Sequence, residues 1–190
     1  MKQLPLTVSV IIPNRNGVDL LKLHLPQVMK ACAGCEVIVV DDASSDQSVE
    51  FVREKFPGIT VLQLPRHSGF SSAVNRGVTA ANGEIAVLLN TDTVPASGFL
   101  APLLTHFQDD AVFAVGCLDR SHENGHVVTR GRGIAVWEKG FYLHRRGNPE
   151  SRESAWVSGG SGVFKTAVWR MLGGMDEIYA PFYWEDVDLS

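Results

Sequence analysis

Short apolar runs alternate with helical stripes over the first two thirds of the chain. "VSVII" (8–12) and "EVIVV" (36–40) are continuous and rich in β-branched residues, the pattern of strands buried on both faces. Between them Leu21, Leu25 and Val28 recur at helical spacing, and Pro26 is expected to kink or restart that helix. Ser44 and Gln47 suggest a capping box ahead of an apolar stripe of Val49, Val52 and Phe56, which Pro57-Gly58 ends. "ITVLQL" (59–64) reads as a third strand. Phe70, Val74, Val78 and Ala81 mark a third helix that stops at Asn82-Gly83. "EIAVLL" (84–89) is a fourth strand, and "VFAVGC" (112–117) a fifth after a helix around Leu100 to Phe107. The alternation predicts βαβ units: an α/β fold with a mostly parallel sheet and helices on both faces.

Past residue 118 the pattern changes. "ENGHVVTRGRGIAVW" suggests a hairpin turned by Asn124-Gly125. "ESRESAWVSGGSGVF" suggests a strand leading into a Gly-rich bend, and "KTAVWRML" a short helix stopped by Gly173-Gly174. One domain is expected, with residues 1–117 and 118–190 as its two portions. The apolar and acidic run up to Ser190 carries no stop signal, so the chain reads as a fragment.

A length of 190 residues with 45% apolar content supports a single core. A net charge of −4 argues against a nucleic-acid binder, which carries a basic face. No run of 18 apolar residues is present, and "MKQLPLTVSVIIP" has no signal-peptide pattern. Three cysteines make no disulfide framework and suit a reducing compartment, so a cytoplasmic location is expected.

In open α/β sheets ligands bind beyond the carboxyl ends of the strands. The residues there are Pro13, Asn14, Arg15 and Asn16; Asp41 and Asp42; Arg66, His67 and Ser68; and Asn90 and Asp92. Each alone is an ordinary turn former. Four polar strand ends on one rim point to a site. Asp41 and Asp42 suit hydrogen-bond donors such as a base N–H or a ribose hydroxyl. Asp92 suits a hard divalent cation, Mg²⁺ or Mn²⁺, which keeps water and phosphate as its other ligands. Neither a P-loop nor a dinucleotide fingerprint is present.

Six segments then stand in a telling order: "VSVIIPNRNG" (8–17), "EVIVVDDASSD" (36–46), "HSGFSSAVNRGVTAANGE" (67–84), "VLLNTDT" (87–93), "SGGSGVFK" (158–165) and "GGMDEIYAPFYWEDVDL" (173–189). Together they resemble the inverting family 2 glycosyltransferases of the GT-A fold, of the rhamnosyltransferase-like type found in bacterial surface polysaccharide synthesis. The resemblance implies that Pro13, Asn14 and Asn16 shape a nucleotide pocket, with Asp41 or Asp42 on a pyrimidine base. Arg66 and the Gly69-Phe70 turn would lie near the nucleotide. Asn90-Thr91-Asp92 falls where the family carries its D-x-D motif, with Asn in place of the first acid and Asp92 as metal ligand. Asp186 would be the catalytic base, Glu185 its second choice, and Gly159-Gly160 a bend that lets backbone approach the sugar.

The implied reaction is a single displacement in which a carboxylate takes the acceptor's proton. The donor would be a uridine or deoxythymidine diphosphate sugar, rhamnose included, and the acceptor a glycan or glycolipid. Two other classes compete: a sugar nucleotidyltransferase, which would carry an early basic Gly-rich loop, and a non-catalytic nucleotide-sugar-binding module, which need not keep both Asp92 and Asp186.

Two further motifs are set aside. "HENGH" (122–126) matches H-E-x-x-H, but a zinc site needs a helix and Asn-Gly predicts a turn. "CAGC" (32–35) sits where a helix enters a strand, the wrong end for thiol activation. Trp137, Phe141, Tyr142, Trp156, Phe182, Tyr183 and Trp184 cluster in the second portion; Trp184, beside the candidate base, is the candidate sugar platform. Arg130, Arg132, Arg145 and Arg146 read as a solvated loop; the alternative is contact with an acceptor phosphate or with the inner membrane surface.

Overall fold

A computed structural model describes residues 6–151, 153–181 and 183–190. The chain alternates β1 (Val8–Asn14), α1 (Val18–Ala31), β2 (Glu36–Asp41), α2 (Ser48–Lys55), β3 (Thr60–Gln63), α3 (Phe70–Ala80) and β4 (Ile85–Leu88). Then follow α4 (Leu100–Thr105), β5 (Ala114–Gly116), β6 (Asp119–Glu123), β7 (His126–Arg130), β8 (Gly133–Glu138) and β9 (Phe141–Arg146). β10 (Gly162–Lys165), α5 (Thr166–Leu172) and α6 (Glu185–Leu189) complete it.

The central sheet has six strands in the order β3-β2-β1-β4-β10-β5. The first four are parallel; β10 runs antiparallel to both β4 and β5. The fold is therefore α/β with a mostly parallel sheet, as the strand spacing requires. Strand alternation divides the core into two layers. Val10, Ile12, Val37, Val39, Val87 and Leu89 pack with Leu21, Leu25 and Val28 of α1 and Val52 of α2. Ile11, Ile38, Val40, Ala86 and Leu88 pack on the other face with Val74 and Val78 of α3 and Trp169 of α5. Apolar burial on both faces explains why these strands are continuous apolar runs. After β1, β2 and β3 extend to one side, β4 returns to the other side of β1. That reversal opens a crevice at the β1 and β4 carboxyl ends.

Several local expectations need correction. α1 is not restarted at Pro26 but continues from Val18 to Ala31. The proline is exposed and, lacking an N–H, supplies no helical donor to the Lys22 carbonyl one turn earlier. The Ser44–Gln47 capping box does not form. Ser44 Oγ accepts from the Asn16 N–H instead, and Asp46 Oδ1 takes the Ser48 N–H at the start of α2. The strand expected before the Gly-rich bend lies after it, as β10. The helix near Leu100 ends at Thr105 and tightens into a 3-10 turn over His106–Gln108. Asn124-Gly125 does turn a hairpin, β6–β7, but "GIAVW" belongs to a second one, β8–β9. Gly131, at φ 142°, breaks the chain between them.

Among the described residues no helix is long and apolar enough to cross a membrane.

Candidate functional site

A cleft of about 310 Å³ opens at the crevice between β1 and β4. Pro13, Asn14, Asp42, Gly69, Asn90, Thr91 and Asp92 line it, all residues singled out from the sequence. Arg15, Leu20, His67, Phe70, Ala73 and Pro181 complete the wall. Of these, Arg15 and His67 carried a sequence signal, a polar residue just past a strand, and Phe70 belongs to the turn that the resemblance puts near the nucleotide. Leu20 and Ala73 are apolar helix positions, and Pro181 arrives from the far end of the chain, so no local pattern marked them.

The floor is a hydrogen-bonded network. Asn14 Nδ2 donates to Asp41 Oδ1 at 3.0 Å, and the Ser44 N–H donates to Asp41 Oδ2 at 3.0 Å. Asp41 is 1% exposed, so it braces Asn14 from beneath and does not line the cleft. Asn14 Oδ1 is buried and has no hydrogen-bond partner among the described residues. A buried acceptor left unpaired is costly, and here it sits in a cleft wall. Asp42 Oδ1 accepts from the Ser68 N–H at 2.7 Å, and Oδ2 from the Gly69 N–H at 2.9 Å and His67 Nδ1 at 2.6 Å. Gly69, at φ 91°, takes a backbone conformation that side chains resist, which lets this turn wrap the carboxylate and lead into α3. Arg15 Nη1 donates to the Asp42 carbonyl at 2.9 Å. Asn16 and Arg66 stay outside the cleft wall; Asn16 Oδ1 accepts from the Ser45 N–H at 2.8 Å.

Asn90, Thr91 and Asp92 turn directly out of β4. The Thr93 N–H donates to the Asn90 carbonyl at 3.0 Å, and His24 Nδ1 of α1 donates to the Thr91 carbonyl at 2.8 Å. The turn is thus held from both sides while the Asp92 carboxylate stays exposed, with no hydrogen bond or ion pair among the described residues.

The Gly159-Gly160 bend lies beside this turn. The Asn90 N–H donates to the Gly160 carbonyl at 3.0 Å. A Cβ on Gly160 would meet Asn90 Nδ2 at 2.8 Å, so a side chain there would push the Asn90 amide aside. From the same bend the Gly159 N–H donates to Asp186 Oδ2 at 3.3 Å. Glu185 is 6% exposed and its Oε2 has no partner among the described residues. Burial pushes its carboxyl pKa up, and the Asp186 charge adds to that. Trp184 precedes them at φ 91°, left-handed for a residue with a side chain. Its ring lies 4.5 Å from His144 and 6.3 Å from Tyr142 of β9. Phe182 lies outside the described residues.

No group of three or more His, Cys, Asp or Glu side chains converges as a ready-made metal cage among the described residues. A hard cation held by one protein carboxylate, with phosphate and water filling the rest of its shell, needs no such cage. The unpaired Asp92 carboxylate on the cleft wall fits that mode.

Comparison with known proteins decides the family. The family model described as glycosyl transferase family 2 matches residues 9–172. The chain belongs to glycosyl transferase family 2. This family 2 chain is 32% identical over 187 residues to a pre-mycofactocin glycosyltransferase of Mycobacterium tuberculosis, covering 96% of the chain and 38% of that protein. It is 32% identical over 114 residues to a dolichol-phosphate mannosyltransferase of Pyrococcus furiosus, covering 57% of the chain and 32% of that protein. The chain therefore matches only about a third of the length of these relatives. A mannosyltransferase from Pyrobaculum calidifontis, solved with GDP-Man and Mn²⁺, shares the fold at a TM-score of 0.71 and 24% identity, over 98% of this chain and 51% of that one.

The two motifs set aside lie elsewhere in the family 2 domain. His122 and Glu123 end β6 and His126 begins β7, so "HENGH" spans a hairpin turn. Cys32 caps the C-terminal end of α1, and burial pushes its thiol up to about 12.

Proposed function

We propose that the protein transfers a sugar from a nucleoside-diphosphate sugar to a hydroxyl of a glycan or lipid-linked acceptor, with inversion and with a divalent cation. The observation that carries this reading is the shared Gly159-Gly160 bend, which ties the Asn90–Asp92 turn to the Asp186 carboxylate.

In this reading the nucleoside lies along the β1–β4 crevice. Asn14 Oδ1, otherwise orphaned, accepts a donor N–H or O–H. His67 presents its ring to the cleft while Asp42 holds it by Nδ1. Asn90 hydrogen-bonds donor hydroxyls, a task an amide performs as well as an acid. Asp92 holds Mn²⁺ or Mg²⁺, which when bound offsets charge on the diphosphate leaving group.

Asp186 accepts the acceptor hydroxyl's proton as that oxygen attacks the anomeric carbon from the face opposite the diphosphate. The Gly159 N–H aims the carboxylate. Buried Glu185, its pKa raised by burial and by the Asp186 charge, sits beside it. Trp184 offers a half-exposed ring face to a sugar. The names of the relatives, one a dolichol-phosphate mannosyltransferase, support a lipid-linked acceptor. A uridine or deoxythymidine diphosphate donor and a site of action at the cytoplasmic face of the membrane complete the reading, with surface polysaccharide synthesis as its setting.

The test is a screen of nucleoside-diphosphate sugars with the full-length chain, with and without Mn²⁺, reading nucleotide release and transfer. Mn²⁺-dependent release from one donor class is expected. No metal-linked binding of any nucleoside diphosphate would refute the proposal.

A further inference from the structure

The β8–β9 hairpin has one face covered and one bare. Cross-strand register puts Ala135 and His144, and Trp137 and Tyr142, on the same face. That face rests on the site: His144 lies 4.5 Å from Trp184 and 5.1 Å from Trp156, and Tyr142 lies 6.3 Å from Trp184. Ile134 pairs with Arg145, Val136 with Leu143 and Glu138 with Phe141 on the opposite face. There Val136 is 56%, Leu143 47% and Phe141 70% exposed. The solvent face of a two-stranded hairpin is ordinarily polar; this one carries an exposed apolar row, and a groove of about 250 Å³ lies against the hairpin, lined by residues of both its faces.

Charge identifies the occupant. From residue 131 to 147 four cations, Arg132, Lys139, Arg145 and Arg146, accompany the single acid Glu138, in a chain whose net charge is −4. Lys139 lies 4.0 Å from Glu138 and screens it. Arg145 stands on the bare apolar face with no hydrogen bond or ion pair among the described residues. Trp137, 75% exposed, projects near the tip. Exposed Val136, Leu143 and Phe141 beside Arg145 on one face, with Lys139 at the turn and Trp137 near the tip of the other face, are the chemistry of an interfacial anchor on anionic lipid.

We propose that the bare face of the β8–β9 hairpin docks the protein on an anionic bilayer surface. Val136, Leu143 and Phe141 enter the headgroup boundary, and Arg145 meets lipid phosphates. The covered face lies on Trp184, so docking holds Glu185 and Asp186 about one sheet spacing, ~10 Å, below the lipid surface. The proposal rests on the transfer reading only for what docking delivers, a lipid-linked acceptor; the docking itself needs no turnover.

Vesicle flotation of the full-length chain without donor tests it. Binding to phosphatidylcholine vesicles containing phosphatidylglycerol is expected, weakened by salt, with little binding to phosphatidylcholine alone. Val136→Ser with Phe141→Ser, and Arg145→Glu separately, should each lower the bound fraction about tenfold or more, while Arg145→Lys retains it. The thermal melting and nucleotide binding of the variants, unchanged, separate docking from folding. The proposal is overturned by absent vesicle binding, by equal binding to neutral vesicles, by variants that bind normally, or by a dimer that the Val136 and Phe141 changes dissolve. Failure of nucleotide binding with vesicle binding intact counts against the transfer reading alone.

Discussion

Asn90 and Asp186 hold the same two-glycine bend: Asn90 donates its N–H to the Gly160 carbonyl at 3.0 Å, and Asp186 accepts the Gly159 N–H at 3.3 Å. Ninety-six positions apart in sequence, the end of a sheet strand and the start of the last helix share one anchor. A displacement of the bend therefore moves the donor-side turn and the acid together.

Among the described residues the Asp92 carboxylate is the cleft acid with no hydrogen bond or ion pair. Asp92→Ala should weaken Mn²⁺-dependent binding of a nucleoside diphosphate by at least about tenfold, about 1.4 kcal/mol. Asn90→Asp should leave it within about threefold, since either side chain accepts a sugar hydroxyl. Titration calorimetry with and without Mn²⁺ measures both; equal affinities for Asp92→Ala and the natural chain would remove Asp92 from the metal site.

A Cβ on Gly160 would lie 2.8 Å from Asn90 Nδ2, so a side chain there must push that amide aside. Gly160→Ala should lower kcat/KM by displacing Asn90. Adding Asn90→Ala should cost much less in the Gly160→Ala background than alone. A double-mutant cycle reads the coupling, expected at about 0.5–3 kcal/mol for groups in contact. Additive effects would mean that the two sites act independently.

Glu185 sets a pH dependence of stability. Its folded pKa is raised, chiefly by burial and further by Asp186. The folded state thus holds that proton to higher pH than the unfolded chain does. The resulting stabilisation is complete below the ordinary value of 4.5 and is lost as pH rises through the raised folded value. Glu185→Gln should therefore raise the melting temperature at pH 7.5, by about 2–4 °C for each kcal/mol relieved, and the advantage should vanish near pH 4. Melting curves across that range check it; an advantage that grew on acidification would contradict the sign.

The cysteines should be quiet. Burial pushes the Cys32 and Cys117 thiols up to about 12, with Cys35 adding to the first and Asp119 to the second. Thiolate is the reactive form, so neither should be alkylated by iodoacetamide at pH 8 within the time that labels an exposed thiol. Mass spectrometry of labelled peptides reads this directly; rapid modification of the native protein at Cys32 would show that α1 opens.

Legibility in the sequence followed the range of the interactions. Val10 to Ile12 and Val37 to Val40 announced the sheet because burial on both faces demands continuous apolar runs. Asn14, Asp42 and Asn90 to Asp92 could be read as one rim because parallel strands end together. Pairings set by tertiary contact were silent. Ser44 has the chemistry of a cap, yet Asn16 claims its hydroxyl across the loop. Asp41 and Asp42 look alike in sequence, but register buries the first under Asn14 and brings the second to the cleft. The second hairpin went unseen because its bare face is apolar where alternation would show polar residues. Nothing local linked Pro181 or Asp186 to strands that end nearly a hundred residues earlier.

The most direct measurement compares the full-length chain with its Asp186→Asn variant in a single-turnover transfer assay, with donor affinity measured in parallel. Donor affinity should stay within about twofold while transfer falls about 10²–10⁴-fold, the usual contribution of a positioned general base. Normal transfer by the Asp186→Asn enzyme would contradict the account.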